Sequence, residues 1–256
     1  MQSSLLDHTA LTGEDRFALQ NPQLLRVVLD GRAEVLARSG AMVAHTGRVQ
    51  FTASTPPGRR GRNRQNRPQH QPHQPGPHQQ WPAGPGQPPF PPGHQPPPAL
   101  DLMRCAGTGT VYLANLAQHL HILDLRNERL TITSSYVLAL DTGIEWQVVG
   151  IEGGERISGV GTSSLELSGS GTLVLMTSGR PLVMPVRAGQ YVYADADAVV
   201  GWSSALEVQL QAQSANTEAW RRRGTATEGW ELSFTGDGFV IVQPSELLPP
   251  QRVPLR

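Results

Sequence analysis

Three times this chain sets two glycines one residue apart in front of a short apolar run, and that recurrence limits its fold more than any other feature. The runs are Gly107-Thr108-Gly109-Thr110-Val111-Tyr112-Leu113, Gly169-Ser170-Gly171-Thr172-Leu173-Val174-Leu175 and Gly236-Asp237-Gly238-Phe239-Val240-Ile241-Val242. Copies begin 62 and then 67 residues apart. That period is long for a solenoid repeat and short for an independent domain, so each unit should need its neighbours to bury its apolar face. The expectation is an all-β body of stacked or sandwiched antiparallel sheets built from three pseudo-repeats, with Val111, Leu113, Leu173, Leu175, Val240 and Val242 buried. Gly107, Gly109, Gly169, Gly171, Gly236 and Gly238 are read as structural glycines, because a missing Cβ admits a bulge or a close backbone approach.

The rest of the pattern is also that of strands. Arg129-Leu130-Thr131-Ile132-Thr133 alternates apolar and polar, and so does Leu206-Glu207-Val208-Gln209-Leu210-Gln211. Leu173-Val174-Leu175-Met176 is apolar on both faces and should lie between two layers. Asp30-Gly31, Asp141-Thr142-Gly143, Ser178-Gly179 and Ala188-Gly189 supply turns. One short helix is allowed near Gly13–Leu19. A second element recurs ahead of each glycine strand: Ser135-Tyr136-Val137-Leu138-Ala139 resembles Gln190-Tyr191-Val192-Tyr193-Ala194, with Ala41-Met42-Val43-Ala44 as a shorter first copy.

Between Ser54 and Pro98 the composition changes. That stretch holds 15 of the 22 prolines, four of the eight histidines and no acidic residue. It lacks the apolar mass to offset backbone ordering at about 1–2 kcal/mol per residue, so a disordered Pro/Gln/His-rich insert is expected over 54–98. Its P-x-x-P spacings suit a protein partner with a prolyl groove, and Trp81 and Phe90 would be the anchors. The organisation is therefore an N-terminal extension over 1–23, one all-β domain over 24–244 interrupted by the insert, and a C-terminal tail over 245–256.

Five arginines make the insert +5 and leave the remainder at −5. An acidic body is a poor surface for phosphates, so no specific nucleic acid is expected as partner. Every basic residue is arginine, which fits a GC-rich bacterial genome. The lone Cys105 excludes an internal disulfide and suits a reducing compartment. No secretory leader and no transmembrane segment is legible, so a cytoplasmic protein is expected.

Candidate chemistry fails on context. His119-Leu120-His121 sets two imidazoles on one strand face, but no acidic ligand follows at cupin spacing, and no metal or other cofactor is called for. The glycine pairs lack a third glycine and a following helix, which rules out a dinucleotide loop. Asp195 and Asp197 read as a solvated turn. Trp220 beside Arg221, Arg222 and Arg223 is the one basic cluster outside the insert, suited to an anion or a partner contact.

Several of these pieces together resemble a family, that of altered inheritance of mitochondria, number twenty-four. The resemblance covers Leu24–Phe51 and Leu100–Gln243. It rests on Gly40-Ala41-Met42-Val43-Ala44-His45-Thr46-Gly47, on the first glycine run, on Leu167-Ser168-Gly169-Ser170-Gly171, on Ala188-Gly189-Gln190-Tyr191-Val192-Tyr193-Ala194-Asp195 and on Phe234-Thr235-Gly236-Asp237-Gly238. It implies a bacterial all-β protein with a tryptophan-RNA-binding-attenuator-like fold. It supplies no catalytic residues, and the insert lies outside the family's common core. The third pair encloses Asp237 where the family often has proline.

The function expected is that of a non-catalytic structural or interaction protein, self-associating as a homo-oligomer. The alternative is a small-molecule or nucleic-acid binding module at the loop of Trp220 and Arg221. Loop-closure cost grows only logarithmically with length. Joining Thr52 to Ala99 through a short Gly-Ser link should therefore leave the thermal midpoint within a few degrees (roughly 5 °C), read by differential scanning calorimetry. A larger drop would show that the insert packs on the body.

Overall fold

A computed structural model of the chain describes residues 9–10, 12–13, 15–54, 100–150, 164–212 and 230–245. Among these residues the only helical element is a single 3-10 turn, Ser134–Tyr136; the rest of the regular structure is antiparallel strand. The first third holds β1 (Phe17–Asn21), β2 (Leu24–Asp30), β3 (Val35–Arg38), β4 (Met42–Ser54) and β5 (Leu102–Leu113). The second holds β6 (His119–Arg126), β7 (Leu130–Thr133), β8 (Val137–Asp141), β9 (Ile144–Val149) and β10 (Ser164–Thr177). The last holds β11 (Leu182–Val186), β12 (Val192–Asp195), β13 (Val199–Ser203), β14 (Glu207–Ala212), β15 (Trp230–Thr235) and β16 (Gly238–Val242).

The pairing register repeats. Leu113, Leu175 and Val242, at matched places after the glycines, lie across from Leu25, His121 and Leu182. The second glycines, Gly109, Gly171 and Gly238, face Leu29, Leu125 and Val186, all three buried. Before the glycines, Cys105, Leu167 and Phe234 lie across from Val35, Leu130 and Val192. Thus β2, β6 and β11 correspond, as do β3, β7 and β12. The long β4 corresponds to β8 plus β9 and to β13 plus β14. One strand covering the whole of β5 in the first unit is a hairpin in the other two.

Two joints link these units. β3 pairs with β8, setting Leu36 on Leu140 and Ala37 on Ala139. β7 pairs with β13 at the matched positions, Thr131 on Trp202 and Ile132 on Gly201. Just before each contact the incoming strand has a bulge, which leaves Leu138 and Val200 without a partner in their own unit. Each bulged side chain is fully buried in apolar surroundings shared with the unit before it, Leu138 with Val35 and Ala37, Val200 with Leu130 and Ile132. Polar groups close both joints. Arg38 donates to the carbonyls of Val137 and Ser134, and the matched Thr133 donates to that of Val199. Tyr136 adds a bond to the Asp197 carbonyl at 3.2 Å, and Arg16 an ion pair to Asp141 at 2.7 Å.

The buried side chains form three clusters. One runs through the middle of the chain and draws on all three units; the second belongs mainly to the first unit, the third to the last. β10 lies between the first two, with Leu173 and Leu175 on one side and Val174 and Met176 on the other. This is the two-sided burial its apolar run predicts.

The structure differs from the sequence reading in four places. No helix forms over 16–19, because Phe17 and Leu19 alternate at period two and pair with Val27 and Leu25. The segment 1–23, read as an extension, thereby supplies β1 to the main sheet. Val242 is half-buried, since its partner Leu182 lies on the exposed edge strand β11 and nothing described covers that side. Finally, Gln190–Ala194 does not correspond to Ser135–Ala139. The first leads into β12 and the second into β8, and Val137 matches Val199 instead. The insert's residues 55–98 and the tail beyond 245 lie outside the described residues.

A fully buried leucine that crosses a joint should be costly to truncate. Leu138→Ala is expected to lower unfolding free energy by about 2–5 kcal/mol in urea titration. A loss under about 1 kcal/mol would mean that the bulge does not seal the first joint.

Candidate functional site

The glycine pairs stand at bends. In β5 and β10 the strand changes neighbours at the pair: β5 leaves β3 for β2, and β10 leaves β7 and β9 for β6 and β8. Gly109 has φ +152°, and a Cβ placed there would lie 2.0 Å from the Thr46 carbonyl oxygen. At Gly107 it would lie 2.1 Å from that of Arg48, and at Gly169 2.7 Å from that of Gly143. These glycines therefore hold backbone against backbone. The third pair acts differently. There the chain breaks into β15 and β16, which join separate sheets; a Cβ on Gly236 would meet Leu206 first, at 3.3 Å, whereas one on Gly238 would lie 2.7 Å from the Ser203 side chain rather than from a carbonyl. Asp237 turns back to accept from the Ala188 N–H at 3.1 Å.

The titratable candidates are absorbed by local structure. β6 carries His119 and His121 on one face. Thr177 donates its hydroxyl proton to the Gly179 carbonyl at 2.7 Å, so its oxygen accepts from His121 Nε2, 2.8 Å away. Burial first, then His119, hold the His121 imidazole below its ordinary range. The ring is thus a neutral donor, not a ligand with a free lone pair at Nε2. No group of three His, Cys, Asp or Glu that could hold a metal forms among the described residues. Asp195 accepts from the Asp197 N–H at 2.8 Å, closing the turn between β12 and β13 as expected of a turn. Cys105 is buried and its thiol is pushed up to about 11, so it stays protonated and inert.

A shallow cleft of about 240 Å³ lies over β9 and β10, between Arg129, Trp146 and Glu166. Arg129 stands 3.9 Å from the Glu166 carboxylate, so an anion entering the cleft would meet a negative charge beside the guanidinium. The cleft is smaller than the roughly 300–1,000 Å³ of sites that engulf a small molecule. Trp220, Arg221, Arg222 and Arg223, and the insert's Trp81 and Phe90, lie outside the described residues.

What the fold does present is apolar side chains on strand edges. Tyr191 and Tyr193 stack with ring centres 6.1 Å apart and are exposed along β12. Met42 and Val43 are exposed at the start of β4, and Leu182 and Val183 on β11. Among the described residues no strand pairs with the outer edges of β12, of β11 or of the first half of β4. The sequence reading passed over these residues as part of the repeated pattern. The signal was there in Tyr191-x-Tyr193, two large side chains at and just before the start of a four-residue strand.

Comparison with known proteins adds two findings. The family model described as Mitochondrial biogenesis AIM24 matches residues 99–245. A crystal structure of protein SPYM3_0169 from Streptococcus pyogenes is similar over 90% of this chain and 93% of that one, at 17% identity and a TM-score of 0.59. That likeness is one of fold. No curated protein matches the sequence.

The glycine geometry sets a sharp contrast. Gly109→Ala forces a side chain onto a carbonyl at a left-handed φ and should cost about 3 kcal/mol or more, or prevent folding. Gly150→Ala, with open space around it, should change stability by less than about 1 kcal/mol. Chemical denaturation of both variants checks this, and equal costs would remove the bend as the reason for the glycines.

Proposed function

The chain belongs to the Mitochondrial biogenesis AIM24 family, and on that premise we propose that it is a non-catalytic structural or interaction protein that works by self-association through its exposed sheet edges. The observation that carries this reading is the set of strands whose outer edges are open and whose exposed side chains are large and apolar. An open edge offers a row of backbone donors and acceptors, and natural proteins cover or charge such edges unless another chain pairs with them. In support, the groups that would do chemistry are turned inward or onto one another: His121 to Thr177, Asp195 to its own turn, Arg129 toward Glu166.

In this reading the three units descend from one repeated module, which the shared registers support, and the chain has the attenuator-like fold that the family resemblance implies. The bacterial, cytoplasmic setting rests on the all-arginine basic set and the single free, buried cysteine. RNA is not the principal partner in this reading, because the body is acidic and phosphate contacts need placed cations.

Light scattering coupled to size exclusion should give a mass above that of one chain. A thermal-shift screen with small molecules and single-stranded RNA should move the midpoint by no more than about 1 °C. A strict monomer stabilised strongly by one ligand class would overturn the proposal.

A further inference from the structure

The two joints inside the chain leave one half of a joint at each end. β12 corresponds to β3 and β7, which receive the next unit, but no strand pairs with its outer edge among the described residues. The first half of β4 corresponds to β8 and β13, which enter the unit before, and its outer edge is likewise open. The matched side chains record the difference. Leu138 and Val200, the bulged residues at the internal joints, are 0% exposed; Val43 sits in the matching bulge, between Met42 and Ala44, at 60%. On the receiving side Val35 and Ala37 are fully buried, and Leu130 and Ile132 nearly or fully so. Their counterparts Val192 and Ala194 are only partly covered and pack against the third cluster.

We propose that the β12 edge of one copy of this chain pairs antiparallel with the Met42–Thr46 edge of a second copy, Tyr193 facing His45 and Ala194 facing Ala44, with Val43 entering beside Val192 and Ala194. The register follows from the internal joints, where Leu36 faces Leu140 and Thr131 faces Trp202. The occupant is a second copy because each end carries the half-joint that the other end's partner strand has inside the chain. Another open edge with apolar residues, β11, is a poorer candidate: it carries Pro185, which has no N–H to donate and blunts an edge. The polar closure is not reproduced. At the place of Arg38 and Thr133 stands Asp195, which has no proton to give and is held in its own turn. The contact between copies therefore rests on strand pairing and on Val43, and is weaker than the internal joints.

This inference rests on the self-association proposed above, and complementation tests it separately. The full chain, Val43→Lys and Ala194→Lys are compared by sedimentation velocity over a concentration series, alone and as an equimolar mixture, with circular dichroism melts to confirm folding. Tyr193→Lys, on an exposed side chain, stands in if Ala194→Lys melts early. The natural chain should form species heavier than one chain. Each variant alone should sediment as a single chain, because each has lost one half of every contact. Their mixture should give a species of twice the single-chain mass and nothing larger, since only one intact pair of ends remains. Variants that keep the natural chain's mass would overturn this surface while leaving self-association standing. A mixture that stays at single-chain mass would overturn the head-to-tail arrangement. A natural chain that remains monomeric throughout would overturn both.

Discussion

A strand that trades one set of neighbours for another half-way along must bend between them, and side chains at the bend would collide with the neighbouring backbone. β5 and β10 meet this constraint in the middle of twelve- and fourteen-residue strands. The glycine pair lets β4 ride over β5 with carbonyl oxygens where Cβ atoms would otherwise be. Once the strand can bend, its two halves recruit different partners, and the remaining strands take their places around it. In the third unit the same turn is made by breaking the strand, so the demand for a missing side chain relaxes at the first glycine, Gly236, while Gly238 still lies close against Ser203. The smaller clashes at Gly236 follow from this.

Bending has an energetic consequence. Each unit opens one face toward the next, so its apolar side chains are shared rather than private. The middle unit loses surface on both sides, which is why its strands β7 and β8 are almost wholly buried. At about 25 cal/mol per Å² of apolar area, a unit of five or six strands could not offset its own ordering entropy. The joints are thus part of the fold itself. Their polar closures differ in chemistry, Arg38 in one and Thr133 in the other, while serving the matched carbonyls of Val137 and Val199. What is kept between them is the acceptor on the backbone and the bulge ahead of it; the donor is free to vary.

Much of this was legible because period-two patterning and glycine geometry are local. The threefold glycine recurrence marked the two bent strands and the third, broken one, and the double-sided run at Leu173–Met176 marked the layer between two cores. The rest depends on partners remote in sequence. Phe17 and Leu19 could not announce a strand from so short a window, since the ladder that fixes them lies on β2. Gln190–Ala194 matched Ser135–Ala139 letter for letter at Tyr, Val and Ala, yet the two occupy different positions in their units, because a few shared residues cannot encode register. The exposed edge was hidden for the same reason. Val43 reads like Leu138 in sequence, and only the topology shows that one has a neighbour and the other does not.

That asymmetry between ends has a geometric meaning. A contact between unlike surfaces generates a series, and whether the series closes depends on the rotation each step adds. The two internal joints share one register, and the bulge just before each keeps the strands from slipping by a residue, which would turn every side chain to the opposite face. A third joint of the same register would carry a similar rotation from chain to chain. The units would then be spaced without regard to where one chain stops and the next begins. The number of chains in such an assembly is set by the rotation at the joint, and the short four-residue edge of β12 with Asp195 at its end limits pairing to that one register.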